Sequence, residues 1–217
     1  VTEFATAFLG YPYPSRIRTP PNVRTIDVLT PPAVEPITLA AAKQHMRVTN
    51  TAHDAIIPAY IAAARQHVEN VTGLGLVLQQ WLVSFDRFEL AAQKLPGGRI
   101  VSVDLFEYTD ALGATQPLAI NTDYLLDPIK GRVFLPLGAW RWPVTGCVPG
   151  AVRVKYKVGA TPNTAGAVTI DAALYAAILL IAADLFENRE ASGQGANVIE
   201  NPTVDRLLYD YTHKVAL

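Results

Sequence analysis

The sequence predicts an α+β fold: a helical bundle, an inserted small antiparallel β subdomain and an extended proline-rich N-terminal arm. Three observations carry this. A two-helix hairpin pattern spans residues 38–73. About 80 residues with strand-type patterning follow, over 77–158. A single long apolar helix then runs from Ala172 into Asp184-Leu-Phe-Glu-Asn-Arg-Glu190. The expected division is an arm at 1–36, a core at 37–190 and a loop, short helix and tail at 191–217.

The arm holds seven of the chain's 16 prolines, Pro12, Pro14, Pro20, Pro21, Pro31, Pro32 and Pro36. Proline blocks helix interiors and pushes its neighbour into extended conformation. Phe4, Phe8, Tyr11 and Tyr13 lie in the same stretch. It reads either as a loose tail or as an arm that buries those rings on a neighbouring subunit; aromatic content favours the second, because disordered segments carry few aromatics.

Thr38 is placed to N-cap a helix over Leu39–Arg47. A second helix begins near Asp54, with Pro58 in its first turns, where proline is tolerated. Ile57, Ile61, Ala64, Val68 and Val71 recur at steps of four and three, an amphipathic stripe. Gly73 is a natural stop.

The period then changes to two. Gln79, Trp81, Val83 and Phe85 alternate with Gln80, Leu82 and Ser84. Further strands are expected at 100–109, 115–120, 124–126, 132–135 and 152–158. Asp110-Ala-Leu-Gly113 forms a hairpin turn between the first and second of these strands. Trp140 and Trp142 beside Pro143 read as lids on the core or as exposed contacts. Asp171 caps the long helix, and residues 172–189 would span about 27 Å. Its uncharged run, Ala172–Ala183, has 12 residues. A bilayer span needs roughly 20, so this reads as a buried helix and not a membrane span. After the loop 192–197, a short helix opens at Asn201 or Thr203 with Val204, Leu207 and Leu208 on one face.

Composition narrows the function. Half of the 217 residues are hydrophobic and 17% are charged, which fits a subunit that hides surface against copies of itself. Net charge is −1, too little to hold nucleic acid by a global basic field. The single Cys147 allows no internal disulfide and fits a reducing compartment. Residues 1–9 lack the basic n-region of a signal peptide.

Signatures of chemistry are missing. His45, His53, His67 and His213 make no His-Glu-x-x-His pair, and one cysteine cannot build a zinc knuckle. None of Ser15, Ser84, Ser102 and Ser192 lies in a Gly-x-Ser-x-Gly elbow. Gly73-Leu-Gly75 and Gly193-Gln-Gly195 do not continue into phosphate loops. His53 beside Asp54, and Cys147 in its Gly-Cys-Val-Pro loop, are the remaining candidates for catalysis; both read more simply as a polar cap and a loop thiol. Glu187 and Glu190 at i, i+3 read as a surface ion-pair motif with Arg189. No enzyme, metal or cofactor is expected.

Two segments carry a resemblance. Ile37-Thr-Leu-Ala-Ala-Ala-Lys-Gln-His-Met-Arg-Val48 precedes Asp54-Ala-Ile-Ile-Pro-Ala-Tyr-Ile-Ala-Ala-Ala-Arg-Gln-His-Val-Glu-Asn-Val-Thr-Gly73. Asp86-Arg-Phe88, Asp110-Ala-Leu-Gly113, Gly131-Arg-Val133, Trp142-Pro143, Pro149-Gly-Ala-Val-Arg-Val-Lys-Tyr156 and Phe186-Glu-Asn-Arg-Glu190 follow in order. Over roughly residues 37–211 the chain resembles the head–tail connector (portal adaptor, head-completion) proteins of long-tailed phages and phage-like gene-transfer particles. Residues 1–36 depart from that pattern.

The resemblance implies a structural virion protein of the neck between capsid and tail, assembled in the host cytoplasm. It implies a homo-oligomeric ring, generally a dodecamer, below the portal protein. That ring would extend the channel through which genomic DNA passes without sequence-specific binding, and would dock a neck stopper or tail protein. The expected portal contacts are Leu207, Leu208, Tyr209, Tyr211, His213 and Leu217. The expected inter-subunit residues are Phe4, Phe8, Tyr11, Tyr13, Arg65, Glu69, Trp140 and Trp142. The alternatives are another neck component, a stopper or tail terminator, or a small cytosolic enzyme using Cys147 or His53. A helical hairpin plus a late long helix favours the adaptor over the mainly β stopper and terminator.

Overall fold

A computed structural model describes residues 23–89, 92–136, 138–139, 141–188 and 202–214, with side chains in the last helix described to residue 212. The elements are β1 (Val23–Thr30), α1 (Leu39–His45), α2 (Ile57–Thr72), β2 (Gln79–Phe85), β3 (Ala92–Lys94), β4 (Ile100–Thr109), β5 (Thr115–Pro117), β6 (Leu125–Asp127), β7 (Arg132–Phe134), β8 (Val152–Val158), α3 (Ala172–Glu187) and α4 (Pro202–Lys214). The α+β class and the inserted antiparallel subdomain are as the sequence predicts.

The helices share one core. The α2 stripe of Ile57, Ile61, Ala64 and Val68 meets Leu174, Ala177, Ile178 and Ala182 of α3, with Ala42 of α1 and Leu208 of α4. The caps are those the sequence places. Thr38 Oγ1 accepts from the Ala41 amide at 3.2 Å, and Asp171 Oδ1 accepts from the Ala173 amide at 3.1 Å. Each satisfies one of the amides that a helix start leaves open. Gly73 ends α2 at φ 70°, a left-handed turn that glycine enters without a Cβ clash.

The β region makes a second core between two sheets. The larger is antiparallel with strand order β1-β2-β8-β4-β5; the smaller has order β3-β7-β6. Trp81, Val83 and Phe85 of β2 alternate inward beside Val152, Val154, Tyr156 and Val158 of β8. On the opposite face polar pairs cross the strands, Arg153 with Glu107 at 2.7 Å and Gln80 with Asp104. Gly159 leaves β8 at φ 94°, and a Cβ there would stand 2.3 Å from the Val77 carbonyl oxygen. That close approach locks the end of β8 to the start of β2, where the two cores meet.

Three differences from the sequence reading have physical reasons. Residues 23–30, expected within the free arm, are a sheet strand paired antiparallel to β2; the prolines stop at Pro21 and resume at Pro31, leaving a proline-free run that can join a ladder. Residues 1–22 lie outside the described residues. The strand β3 carries only three residues and has no period to read. The return strand is shorter than expected, Thr115–Pro117: the proline has no amide to donate, and the Leu118 amide bonds the Phe106 carbonyl at 2.8 Å just beyond it.

Candidate assembly surfaces

Arg65 and Glu69 project from α2 one turn apart, on a face that the apolar stripe alone marks as the edge of the core. Both side chains are nearly buried. Arg65 Nε donates to Glu35 Oε2 at 2.8 Å and the guanidinium also pairs with Glu69. Glu69 Oε1 accepts from the Leu76 amide and from Gln79 Nε2, each at 2.8 Å. Burial pushes the Glu69 carboxyl above its ordinary value, against the donors from Leu76, Arg65 and Gln79 that pull it down. The pair, expected between subunits, makes these hydrogen bonds within its own subunit, joining the segment before α1, helix α2 and the entry to β2.

Trp142 is also turned inward. Its ring stacks on Phe88 at 4.8 Å between centroids and 8° between planes, and Phe106 lies against both. Phe106 in turn meets Tyr124 edge-on at 5.0 Å. The indole Nε1 is buried with no hydrogen-bond partner among the described residues. Of the two readings of Trp142, lid and exposed contact, the lid holds: the residue is 6% exposed and its ring packs on Phe88 and Phe106. Trp140, like Phe4, Phe8, Tyr11 and Tyr13, lies outside the described residues.

Helix α4 divides its residues by face. Leu208 is 3% exposed and belongs to the helical core, with Val204, Leu207 and Tyr211 packed beside it. Tyr211 hydrogen-bonds the Asp171 carboxylate, the same group that caps α3. Burial, with the Asp171 and Asp210 carboxylates nearby, pushes its phenol up to about 12. Tyr209 points the other way and is 59% exposed. Leu207, Leu208 and Tyr211 therefore hold α4 on its own subunit, and Tyr209 is the residue of that group presented outward. The side chain of His213, and Leu217, lie outside the described residues.

His53 meets Phe186 edge-on at 5.2 Å, a packing contact between the turn before α2 and the end of α3. Cys147 is exposed beside a shallow depression lined by Arg24, Asp86, Val148 and Pro149. There Arg24 is occupied with Asp86 at 3.4 Å, and Asp86 also accepts from the Gly150 amide. Among the described residues no group of His, Cys, Asp and Glu is placed to hold a metal ion, and no helix is long and apolar enough to cross a membrane.

The surface features that sequence reasoning missed are apolar side chains on loop tips. Leu112, at the turn between β4 and β5, is 95% exposed, and Ile129 and Val144 are 78% and 65% exposed. Asp110 shapes that turn by accepting from the Leu112 and Ala114 amides, each at 2.9 Å, and from Gln116; these bonds, the one from Gln116 foremost, hold its carboxyl below the ordinary range. A large aliphatic residue inside a turn motif is the signal that would have marked these tips, since a turn has no core to hide it in. Rigid turns that display apolar tips can bind other proteins.

Residues 36–103 match the family model described as phage gp6-like head-tail connector protein. No curated protein matches the chain. Among solved structures, a chain in the "Neck of empty GTA particle computed with C6 symmetry" is similar with TM-score 0.66 at 21% identity, over 87% of this chain and 95% of that one. A chain in the "Neck of native GTA particle computed with C12 symmetry" gives 0.63 at 20% identity, over 85% and 94%. A chain in the "Virion of native gene transfer agent (GTA) particle" gives 0.62 at 19%, over 85% and 95%. The matched segment contains both helices of the hairpin, β2, β3 and the start of β4, and the likeness in fold to the neck chains extends over most of the chain.

Proposed function

We propose that the protein is a structural, non-catalytic adaptor that closes into a ring of identical subunits below the portal of a phage-like particle. The ring extends the DNA channel and offers a platform to a neck stopper or tail protein. The observation that carries this reading is the combination of the connector pattern at 36–103 with a fold shared with neck chains determined under sixfold and twelvefold symmetry. A near-neutral net charge supports the conduit, because a strongly basic lining would hold phosphate. The loop tips at Leu112, Ile129 and Val144 supply apolar contacts of the kind buried between protein subunits. Ring closure requires two different patches to meet around the circle. Tyr209, outward on α4, is the proposed portal contact, together with His213 and Leu217.

The mass of the purified protein, by native mass spectrometry, tests the ring: about a dozen copies are expected, and a stable monomer at every concentration overturns the reading. Portal attachment is tested with Tyr209→Ala, at a side chain that is 59% exposed. Weakened co-sedimentation with portal rings is expected; unchanged attachment overturns the portal role of α4.

A further inference from the structure

The large sheet ends in two unlike edges. The strand β5 has three residues and carries Pro117, so it offers little to a further strand. The strand β1 has eight residues and no proline or lysine. It is tied to β2 by Thr25 Oγ1 with Ser84 Oγ at 2.7 Å and by Arg24 with Asp86, and two register shifts bracket a regular stretch, Thr25–Val28. On its far side no strand among the described residues pairs with it. Val28 and Leu29 there are 51% and 47% exposed. A long open edge with exposed aliphatic side chains is a template for another strand.

The chain itself carries a strand to match. Residues 1–9, Val-Thr-Glu-Phe-Ala-Thr-Ala-Phe-Leu, contain no proline and repeat Thr and Phe at every second position, Thr2, Phe4, Thr6 and Phe8. Valine, threonine and phenylalanine favour strands, and period two puts both rings on one face. Between this run and β1 lie 13 residues, Gly10–Asn22, with Pro12, Pro14, Pro20 and Pro21. As extended polyproline-type chain they would reach about 40 Å, on the order of a subunit's diameter. The two-residue hairpin loops that would fold the chain straight back need positive φ, which the Pro20-Pro21 corner excludes.

We infer that residues 1–9 of one subunit add as a strand to the open β1 edge of the neighbouring copy, so that each subunit clasps the next around the ring. This rests on the ring proposed above and names one of its interfaces. The backbone ladder would supply affinity, and Phe4 and Phe8 would lie over the face that exposes Val28.

The test uses the full chain with p-benzoylphenylalanine in place of Phe4 or Phe8. Rings reassembled from equal amounts of nitrogen-14 and nitrogen-15 protein are irradiated, digested and analysed by mass spectrometry. Cross-links onto residues 23–30 are expected, about half of them joining a light to a heavy peptide. Cross-links confined to one isotope, or onto other segments, overturn the inference while leaving the ring intact. Failure of the unsubstituted chain to form rings sinks both. In parallel, F4E/F8E should leave the circular dichroism spectrum unchanged and raise the concentration for half-assembly at least tenfold; assembly at the original concentration also overturns the clasp.

Discussion

Arg65 donates through Nε to Glu35 Oε2 at 2.8 Å, fastening α2 to the chain that leads into α1. Its second partner, Glu69, carries the link on to Leu76 and Gln79. Removing Glu69 leaves Arg65 with Glu35 and takes the acceptor away from the Leu76 amide and Gln79; breaking a buried ion pair costs up to about 3–5 kcal/mol. Glu69→Ala is therefore expected to lower the urea midpoint of the isolated subunit severely. A variant that unfolds normally but fails only in ring formation would return this pair to the subunit interface.

The same carboxyl gives a pH dependence. Burial raises the folded pKa of Glu69 above its unfolded value, so between those two values the folded state binds more protons. Stability from this group is full below the unfolded pKa and falls as pH rises through the folded one. Relative to Glu69→Gln, the native chain should lose stability on going from the ordinary carboxyl range upward. Denaturant curves across that range measure it; a difference of opposite sign would show that the donors outweigh burial.

The Phe88–Trp142 stack closes the β core. Truncating a buried tryptophan costs about 3–5 kcal/mol. Trp142→Ala should lower the thermal midpoint of the subunit and quench the near-ultraviolet circular dichroism of the aromatic cluster. A stable subunit with intact near-ultraviolet signal would place the ring outside the core.

Gly159→Ala should be among the most damaging single changes. A side chain in this backbone region costs about 1–3 kcal/mol by conformation alone. The new Cβ would also meet the Val77 carbonyl oxygen at 2.3 Å. Loss of soluble expression or a large fall in melting temperature is expected; Gly113→Ala, where open space surrounds the site, serves as the comparison for conformation without collision.

Tyr211 holds α4 to the N-terminal cap of α3. Its phenol, shifted up to about 12, contributes stability that is present below the unfolded value and lost as pH rises through the folded one. Tyr211→Phe removes the hydrogen bond and keeps the packing, a loss of about 0.5–1.5 kcal/mol. Hydrogen exchange over residues 202–212 should quicken while the β region stays unchanged. Equal quickening everywhere would mean that α4 opens only with the whole molecule.

Local signals were legible where one short stretch contains its own cause. The caps at Thr38 and Asp171, the stop at Gly73, the period-two run Gln79–Phe85 and the strand Val152–Val158 stand where the sequence places them. The β1 strand was not legible, because an edge strand is half wet on both faces and carries no alternation: Arg24, Thr25, Asp27 and Thr30 sit among its aliphatics. Leu208 and Tyr209 show the same limit on a helix. Neighbours in sequence, they looked equally fit to anchor a partner, yet about 100° of helix rotation puts Leu208 in the core and leaves Tyr209 exposed.

By itself the sequence determined the α+β class, the helical hairpin, the long apolar helix, the inserted antiparallel strands and the connector resemblance, since periodicity, capping and turn chemistry act over a few residues. Tertiary structure decided which polar groups are spent internally and which surfaces remain for assembly. Arg65 and Glu69 turned inward because Glu35, Leu76 and Gln79 converge on them from other parts of the chain, and Trp142 became a lid because Phe88 and Phe106 lay beneath it. Such pairings depend on distant segments meeting, and no local pattern encodes the meeting place.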